Sequence, residues 1–180
     1  NGAGKSTLLD LIAGRLKPTG GHVEVGSTVK IGYYDQLGRE LNLSQTVREA
    51  VMGDKGNPSV EDINLMKRFW FDGDSQFAPL STLSGGERRR VSLAKLLVSS
   101  HDLICLDEPT NHLDVEGVNW LAQYLKREKR LAVVVITHDR WFLDEVSDKT
   151  WEVVNAGVEE YEGGYSAFVL AKAGELDKLM

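Results

Sequence analysis

Two apolar segments, each followed at once by polar residues, constrain the fold of this chain most. They cover residues 103–106 and 131–136, and both are apolar throughout rather than at every second position. A strand of this kind is covered on both faces, which is typical of a parallel sheet packed between helices. The helical periodicity of residues 115–128, between the two segments, supports this interpretation. The pattern predicts an α/β fold with a mostly parallel sheet.

Helices and hairpins account for most of the remaining chain. Helical spacing of apolar residues predicts further helices at about residues 8–16, 45–52, 60–69, 86–99, 140–146 and 165–179. Alternating apolar residues predict a β-hairpin around Gly26-Ser27 and a second one from residues 150–154 and 157–161. We therefore expect a parallel sheet, a small antiparallel hairpin and a helical subdomain at about residues 40–99.

The composition argues against several classes of protein. The 180 residues include 27 acidic and 21 basic side chains, a formal net charge of −6, which disfavours non-specific nucleic-acid binding. The basic cluster at residues 126–130 is the candidate for a local nucleic-acid-binding patch, but we favour its interpretation as a helix C-terminus, where the dipole favours cations. A single cysteine, Cys105, excludes an internal disulfide framework. The longest apolar run is far shorter than the roughly 20 residues of a membrane span, and no signal peptide is evident, so we expect a cytoplasmic protein.

The chain opens with Asn1-Gly2-Ala3-Gly4-Lys5-Ser6-Thr7, which matches the end of a phosphate-binding loop, G-x-x-x-x-G-K-[ST]. The glycines would let backbone N–H groups approach phosphate oxygens. Lys5 would reach the β- and γ-phosphates, Ser6 would ligate Mg²⁺, and Thr7 would lie where the helix dipole favours anions. The first glycine of the motif would precede Asn1, so we expect the chain to begin inside its own loop. The alternative is a glycine-rich helix start without a ligand.

Two carboxylates, Asp107 and Glu108, follow the first apolar strand. Adjacent acids at the end of a buried strand cost desolvation energy unless a cation or a partner compensates. With a phosphate-binding loop in the same chain, magnesium is the expected cation. Asp107 would hold the metal through its water shell, and Glu108 would orient or deprotonate the attacking water. The alternative is that both carboxylates face solvent.

Three further segments occur in a fixed order around these motifs. Gln36 follows the strand at residues 31–34, Leu83-Ser84-Gly85-Gly86-Glu87 precedes the acidic strand, and Thr137-His138-Asp139 follows the second apolar strand. Together they resemble the Q-loop, the signature motif and the switch histidine of ABC-type ATPases. The resemblance implies that Gln36 touches the metal and the water, that residues 84–87 face the γ-phosphate bound by a second cassette, and that His138 contacts the γ-phosphate. Ser84-x-x-Glu87 is also an ordinary capping box.

The amino-acid sequences of residues 107–114 and 137–144 resemble those of the ABC-F group of this family. That resemblance implies two cassettes in one chain, no membrane domain and, for many members, action on the ribosome as translation factors or antibiotic-resistance proteins. It also implies ATP and Mg²⁺ as cofactors and a role for Asp114 in communication across the cassette interface. The cassette would span residues 1–162, and a helical inter-cassette linker would begin within residues 163–180.

Two departures from the group's pattern leave alternatives open. The front strands and the aromatic residue that stacks on adenine are missing, and no long charged helical hairpin interrupts residues 37–82, although first cassettes of the group often carry one. The chain could instead be the ATP-binding subunit of an ABC transporter with a membrane partner, or a non-catalytic ATP-dependent clamp on nucleic acid. We expect poor ATP hydrolysis by these 180 residues alone, because they hold part of the phosphate loop and one signature.

Overall fold

A computed structural model describes residues 2–34 and 40–177. Within these ranges the helices are α1 (Lys5–Ile12), α2 (Val47–Met52), α3 (Val60–Arg68), α4 (Gly85–Val98), α5 (Val115–Arg127), α6 (Arg140–Val146) and α7 (Tyr165–Asp177). The strands are β1 (Ile31–Tyr34), β2 (Leu103–Asp107), β3 (Ala132–Ile136), β4 (Lys149–Val154) and β5 (Gly157–Glu162). The predicted order of helices and strands after residue 40 is confirmed.

The central sheet is parallel and has the order β1-β2-β3. Its register places Leu103 of β2 opposite Ile31 on one side and opposite Ala132 on the other. The side chains of Ile104, Cys105 and Leu106 are at most 1% exposed, as expected for a strand covered on both faces. Because the three strands run in the same direction, their carboxyl ends reach one edge of the sheet, where open α/β sheets bind ligands.

Three helices between β1 and β2 share one apolar core. The side chains of Val47 in α2, Met66 in α3 and Val91 in α4 are fully buried there. Both α2 and α3 begin with a capping box, in which the first residue and the acid three positions later exchange hydrogen bonds. The sequence signal at Ser59 and Asp62 is the α3 capping box, so this predicted helix start is confirmed.

Helix α1 ends four residues earlier than the periodicity predicted. Gly14 adopts φ +72, in the left-handed region that glycine enters without steric cost. Its N–H donates to the carbonyl of Leu11 at 3.2 Å, and the N–H of Arg15 donates to that of Asp10 at 2.8 Å. This hydrogen-bond pattern is a Schellman motif, which closes the C-terminus of a helix. Leu16 therefore lies outside the helix.

The predicted hairpin around Gly26-Ser27 is wrong. A turn forms there, with the N–H of Val29 donating to the carbonyl of Gly26 at 3.0 Å. No strand flanks it on the N-terminal side, and Ile31–Tyr34 pairs with β2 instead. A two-stranded hairpin without a layer to bury one face is marginal in water, and Val23 and Val25 are 49% and 45% exposed.

The second predicted hairpin is confirmed as β4 and β5, which pair antiparallel from Lys149–Glu162 to Val154–Gly157. A turn with Gly163 at φ +86 then leads into α7. A Cβ at Gly164 would lie 2.7 Å from Asp144, so glycine permits the close approach to α6. In the part of the chain that the structure describes, no helix has both the length and the apolar character needed to cross a membrane.

Candidate active site

The N-terminus of α1 is open. Gly2 and Gly4 adopt φ +85 and +96, and a Cβ at either position would meet nothing within 4 Å. No side chain caps this helix, whereas α2 to α6 each begin with a capping side chain. The first N–H groups of a helix have no partner within it and make a ready anion site. The first turn of α1 therefore fits a phosphate group.

A hydroxyl and a carboxylate meet beside this helix start. Ser6 Oγ donates to Asp107 Oδ2 over 3.4 Å, joining α1 to the carboxyl end of β2. Both are hard oxygen donors of the kind that Mg²⁺ prefers. Within residues 2–34 and 40–177, no three His, Cys, Asp or Glu side chains cluster as a metal site. The donor set therefore fits an ion that takes its other ligands from phosphate and water, as Mg²⁺ commonly does.

Glu108 and His138 form the second predicted pair. The Glu108 residue is 7% exposed, and its N–H donates to the carbonyl of Ile136 at 2.7 Å. Its Oε2 accepts the backbone N–H of His138 at 3.2 Å, and its Oε1 lies 3.1 Å from His138 Nε2. The His138 side chain itself is 72% exposed. A buried carboxylate thus lies next to an accessible imidazole at the carboxyl edge of the sheet.

The signature segment is held by its own hydrogen bonds. Ser84 Oγ accepts the N–H of Glu87 at 3.3 Å, and Glu87 Oε2 accepts the N–H of Ser84 at 2.7 Å. The same bonds with Ser84 hold the pKa of Glu87 below its usual value. A Cβ at Gly85 would meet nothing within 4 Å. Among the hydrogen bonds of the described residues, none joins this segment to residues 2–7.

Other predicted residues have local partners. Asp114 caps α5 by accepting the N–H of Gly117 at 2.8 Å. Cys105 is fully buried, and burial raises the pKa of its thiol to about 11, in agreement with an inert role. Asn1 and Gln36, predicted to bind the nucleotide and, for Gln36, the metal, lie outside the described residues.

Some contacts near the site were not predicted. The side chain of His112 pairs with the guanidinium of Arg89 and so joins the loop after β2 to α4. Burial first, and then the charges of Arg89 and Arg90, lower the pKa of His112. Burial and a hydrogen bond with Asp10 of α1 raise the pKa of Tyr33. These pairs join residues far apart in sequence, and no spacing rule connects them.

Two hydroxyls also meet across the site. Thr110 Oγ1 lies 3.1 Å from Thr137 Oγ1, so a second contact links the loops that carry Glu108 and His138. Both threonines stand in the predicted motifs, but a hydroxyl near a strand end is too common to indicate a partner. Only the fold brings this pair together.

The two cavities found in the structure do not coincide with the candidate site. Two cavities of about 210 and 240 Å³ share His101 as a lining residue. They also contact Ile31 and Leu131, at the amino ends of the strands, and so lie at the opposite edge of the sheet from Asp107. We place the candidate site by its donor groups and not by the cavities.

A glycine-rich helix start beside a serine and an aspartate is the residue pattern of P-loop proteins. The ABC transporter family model matches residues 1–111, more than half of the chain. The chain therefore belongs to the ABC transporter family, a family of ATPases that bind ATP and whose cassettes act in pairs.

Similar proteins agree with this assignment. The chain is 40% identical over 174 residues to the energy-dependent translational throttle protein EttA of Escherichia coli (strain K12), covering 93% of the chain and 31% of EttA. It is 36% identical over 176 residues to YfmR of Bacillus subtilis (strain 168), an uncharacterized ABC transporter ATP-binding protein, covering 94% of the chain and 28% of YfmR. The resemblance to ABC-F proteins is confirmed by relatives such as EttA.

A solved structure has the same fold. The archaeal ribosome recycling factor aABCE1, in complex with the ribosomal stalk protein aP1, superposes with a TM-score of 0.75 at 27% identity. The superposition covers 97% of this chain and 35% of that protein. The α/β cassette fold is thus confirmed, while the chain spans about a third of the length of these similar proteins.

Proposed function

We propose that this chain is an ATP-binding and ATP-hydrolysing cassette of the ABC-F type that acts on the ribosome in the cytoplasm. The observation that carries the proposal is the contact between Ser6 and Asp107, 3.4 Å apart although 101 residues separate them in sequence. It unites the uncapped helix start with the acidic strand end, next to Glu108 and His138. A glycine-rich helix start without a ligand would not require this pairing.

Different residues of the site would bind the phosphates and the metal during phosphoryl transfer to water. The N–H groups of the loop, Asn1 to Thr7, and the Lys5 ammonium would hold the phosphates. Ser6 and Asp107, with Gln36, would hold Mg²⁺, which neutralises charge on the phosphate oxygens when bound.

The Glu108 carboxylate would orient a water molecule and take its proton as the water oxygen bonds to the γ-phosphorus and ADP leaves. For this step Glu108 must give up its contact with the ring of His138, whose Nε2 would then be free to donate to a γ-phosphate oxygen. Only the 3.1 Å contact with His138 Nε2 has to open in this exchange, because the other contact, at 3.2 Å, is with the backbone N–H of His138.

The signature segment supports a two-cassette mechanism. A Cβ at Gly85 would meet nothing within 4 Å, and among the described residues no hydrogen bond joins the N-terminus of α4 to residues 2–7. We propose that residues 84–87 meet the γ-phosphate held by a second cassette, so that bound ATP joins the cassettes and hydrolysis releases them. Asp114 would lie at that interface. We also propose a cassette at residues 1–162, its helical subdomain at about 40–99, and a linker that starts within 163–180.

The names of two similar proteins support the ribosome as the partner. EttA is named as a translational throttle protein and aABCE1 as a ribosome recycling factor. The name of YfmR, an ABC transporter ATP-binding protein, favours the second candidate, a transporter subunit. Sedimentation of the ATP-loaded protein with ribosomes or with membranes separates the two.

The test of the chemistry is Glu108→Gln in the natural polypeptide that contains these residues. Loss of the general base should lower phosphate release by about 100-fold or more, while ATP affinity stays within about twofold because Ser6, Lys5 and the loop are unchanged. The matched control is Glu128→Gln, at an exposed carboxylate that ends α5. Undiminished turnover in Glu108→Gln would remove Glu108 from this role. ATP binding without turnover in the wild type would indicate a non-catalytic clamp.

A further inference from the structure

Two of the four polar or charged side chains that are buried among the described residues belong to one loop. They are Glu108, 7% exposed, and Thr110, 9% exposed. A buried hydroxyl generally has a hydrogen-bond partner, and Thr110 finds it in Thr137 on the neighbouring loop, at 3.1 Å between the two Oγ1 atoms. The loops after β2 and β3 are therefore joined at two places, by Glu108–His138 and by Thr110–Thr137.

The Glu108–His138 and Thr110–Thr137 contacts have different roles in the proposed reaction. In the proposed reaction the Glu108 carboxylate must turn to water and the His138 ring to phosphate, so their ring contact cannot hold the loops in place during the chemical step. The threonine hydroxyls have no such task. Thr137 Oγ1 also accepts the N–H of Asp139 at 3.1 Å, and Asp139 in turn caps α6. The threonine pair is thus connected to the start of α6 and can stay formed during the chemical step.

The backbone of Glu108 explains why such an anchor is needed. Its φ of +51 lies in the left-handed region, which is strained for a residue other than glycine and persists only where neighbouring structure holds it. The N–H of Glu108 is held by Ile136, and its carbonyl by the N–H of Asn111 at a long 3.4 Å. Thr110, two residues after Glu108, supplies a side-chain restraint on the same turn.

We propose that Thr110 and Thr137 are positioning residues, and that their hydroxyl pair keeps Glu108 aligned with the γ-phosphate when the Glu108–His138 contact opens. This proposal rests on the proposed function. It assigns the pair to the chemical step and not to nucleotide binding, because neither hydroxyl has a recorded contact with residues 2–7 among the described residues. The effect should therefore appear in kcat and not in ATP affinity.

Thr110→Val tests the proposal, since valine keeps the shape and removes the hydroxyl while Thr137 still accepts from Asp139. We expect kcat to fall about tenfold or more, as slight misplacement of reacting groups does, with ATP affinity within about twofold. Thr110→Ser restores the hydroxyl and should recover most of kcat. Thr137→Val removes the same hydroxyl pair and also the acceptor of the Asp139 N–H, so it should lower kcat at least as much, and Thr110→Val/Thr137→Val should cost little more than Thr137→Val alone. The control is Thr82→Val, at an exposed hydroxyl that donates to Pro79.

The outcomes separate this proposal from the proposed function. A wild-type protein without ATP turnover would refute the function itself. An active wild type with an unchanged kcat in Thr110→Val would overturn the positioning role, as would a loss that Thr110→Ser fails to restore. Thermal unfolding of each variant accompanies the kinetics. If Thr110→Val does not fold, Thr137→Val tests the proposal in the same way: kcat should fall while ATP affinity stays unchanged.

Discussion

Two helix starts in this chain are predicted to contact phosphate, and they are built in opposite ways. Helix α1 begins at Gly4 with no capping side chain, so its first N–H groups are left for a ligand. Helix α4 begins at Ser84 with a complete capping box. Under the proposed function, the start of α1 needs an anion to satisfy its N–H groups, whereas the start of α4 is already capped by its own side chains before it meets a second cassette.

The largest difference is expected between alanine substitutions at the two starts. Gly4 adopts φ +96, where an L-residue costs about 1–2 kcal/mol, so Gly4→Ala should distort the loop and lower ATP affinity about tenfold or more. Gly85 is not in the left-handed region and has open space around it, so Gly85→Ala should leave ATP affinity within about twofold. Nucleotide titration of both variants measures this. Equal affinities would contradict the assignment of α1 as the phosphate-binding start.

A second comparison concerns the caps. Ser84→Ala removes the cap of α4 and should lower the free energy of unfolding by about 1 kcal/mol. The matched control is Ser59→Ala, which removes the capping serine of α3 from an equivalent capping box. Urea unfolding should show similar losses for both. Only Ser84→Ala should also lower turnover in the proposed two-cassette protein, and equal turnover in the two variants would contradict the proposed contact of Ser84 with a phosphate on the partner cassette.

The elements that the sequence predicted correctly depend on local signals. Residues 103–106 and 131–136 are apolar throughout, which already indicates the two buried parallel strands, and Ser59 with Asp62 marks the start of α3. The assignment of Ser6 and Asp107 to one Mg²⁺ also implied that the two side chains lie close together. These signals lie within a few residues of one another or follow from parallel strands ending at one edge.

The predictions that were wrong or missing concern features that depend on the folded chain and not on local signals. Gly14 stands inside an apolar pattern that continues to Leu16, and only its backbone conformation shows that the helix ends there. Alternation around Gly26 resembles a hairpin, but strand formation also needs a layer to bury one face. The Thr110–Thr137 and Arg89–His112 contacts join distant residues of common types, so they can be found only in the folded chain.

The smallest expected effect concerns the contact between His112 and Arg89 of α4. His112 has a lowered pKa because burial and the charges of Arg89 and Arg90 disfavour its protonated form. The unfolded chain should therefore bind a proton at higher pH than the folded chain does. As the pH falls below the ordinary histidine pKa of 6.5, the wild type should lose stability until the lowered folded pKa is reached, with no further change from this group below that.

His112→Asn offers the comparison, because the amide oxygen can still accept from Arg89 but does not titrate. Thermal unfolding at about pH 8 and about pH 5.5, on either side of the ordinary histidine pKa, should show a small extra loss of stability at the lower pH in the wild type. This loss should be less than that caused by Ser84→Ala, since His112 is only partly buried. The same pH dependence in both proteins would contradict a lowered pKa of His112 in the folded chain.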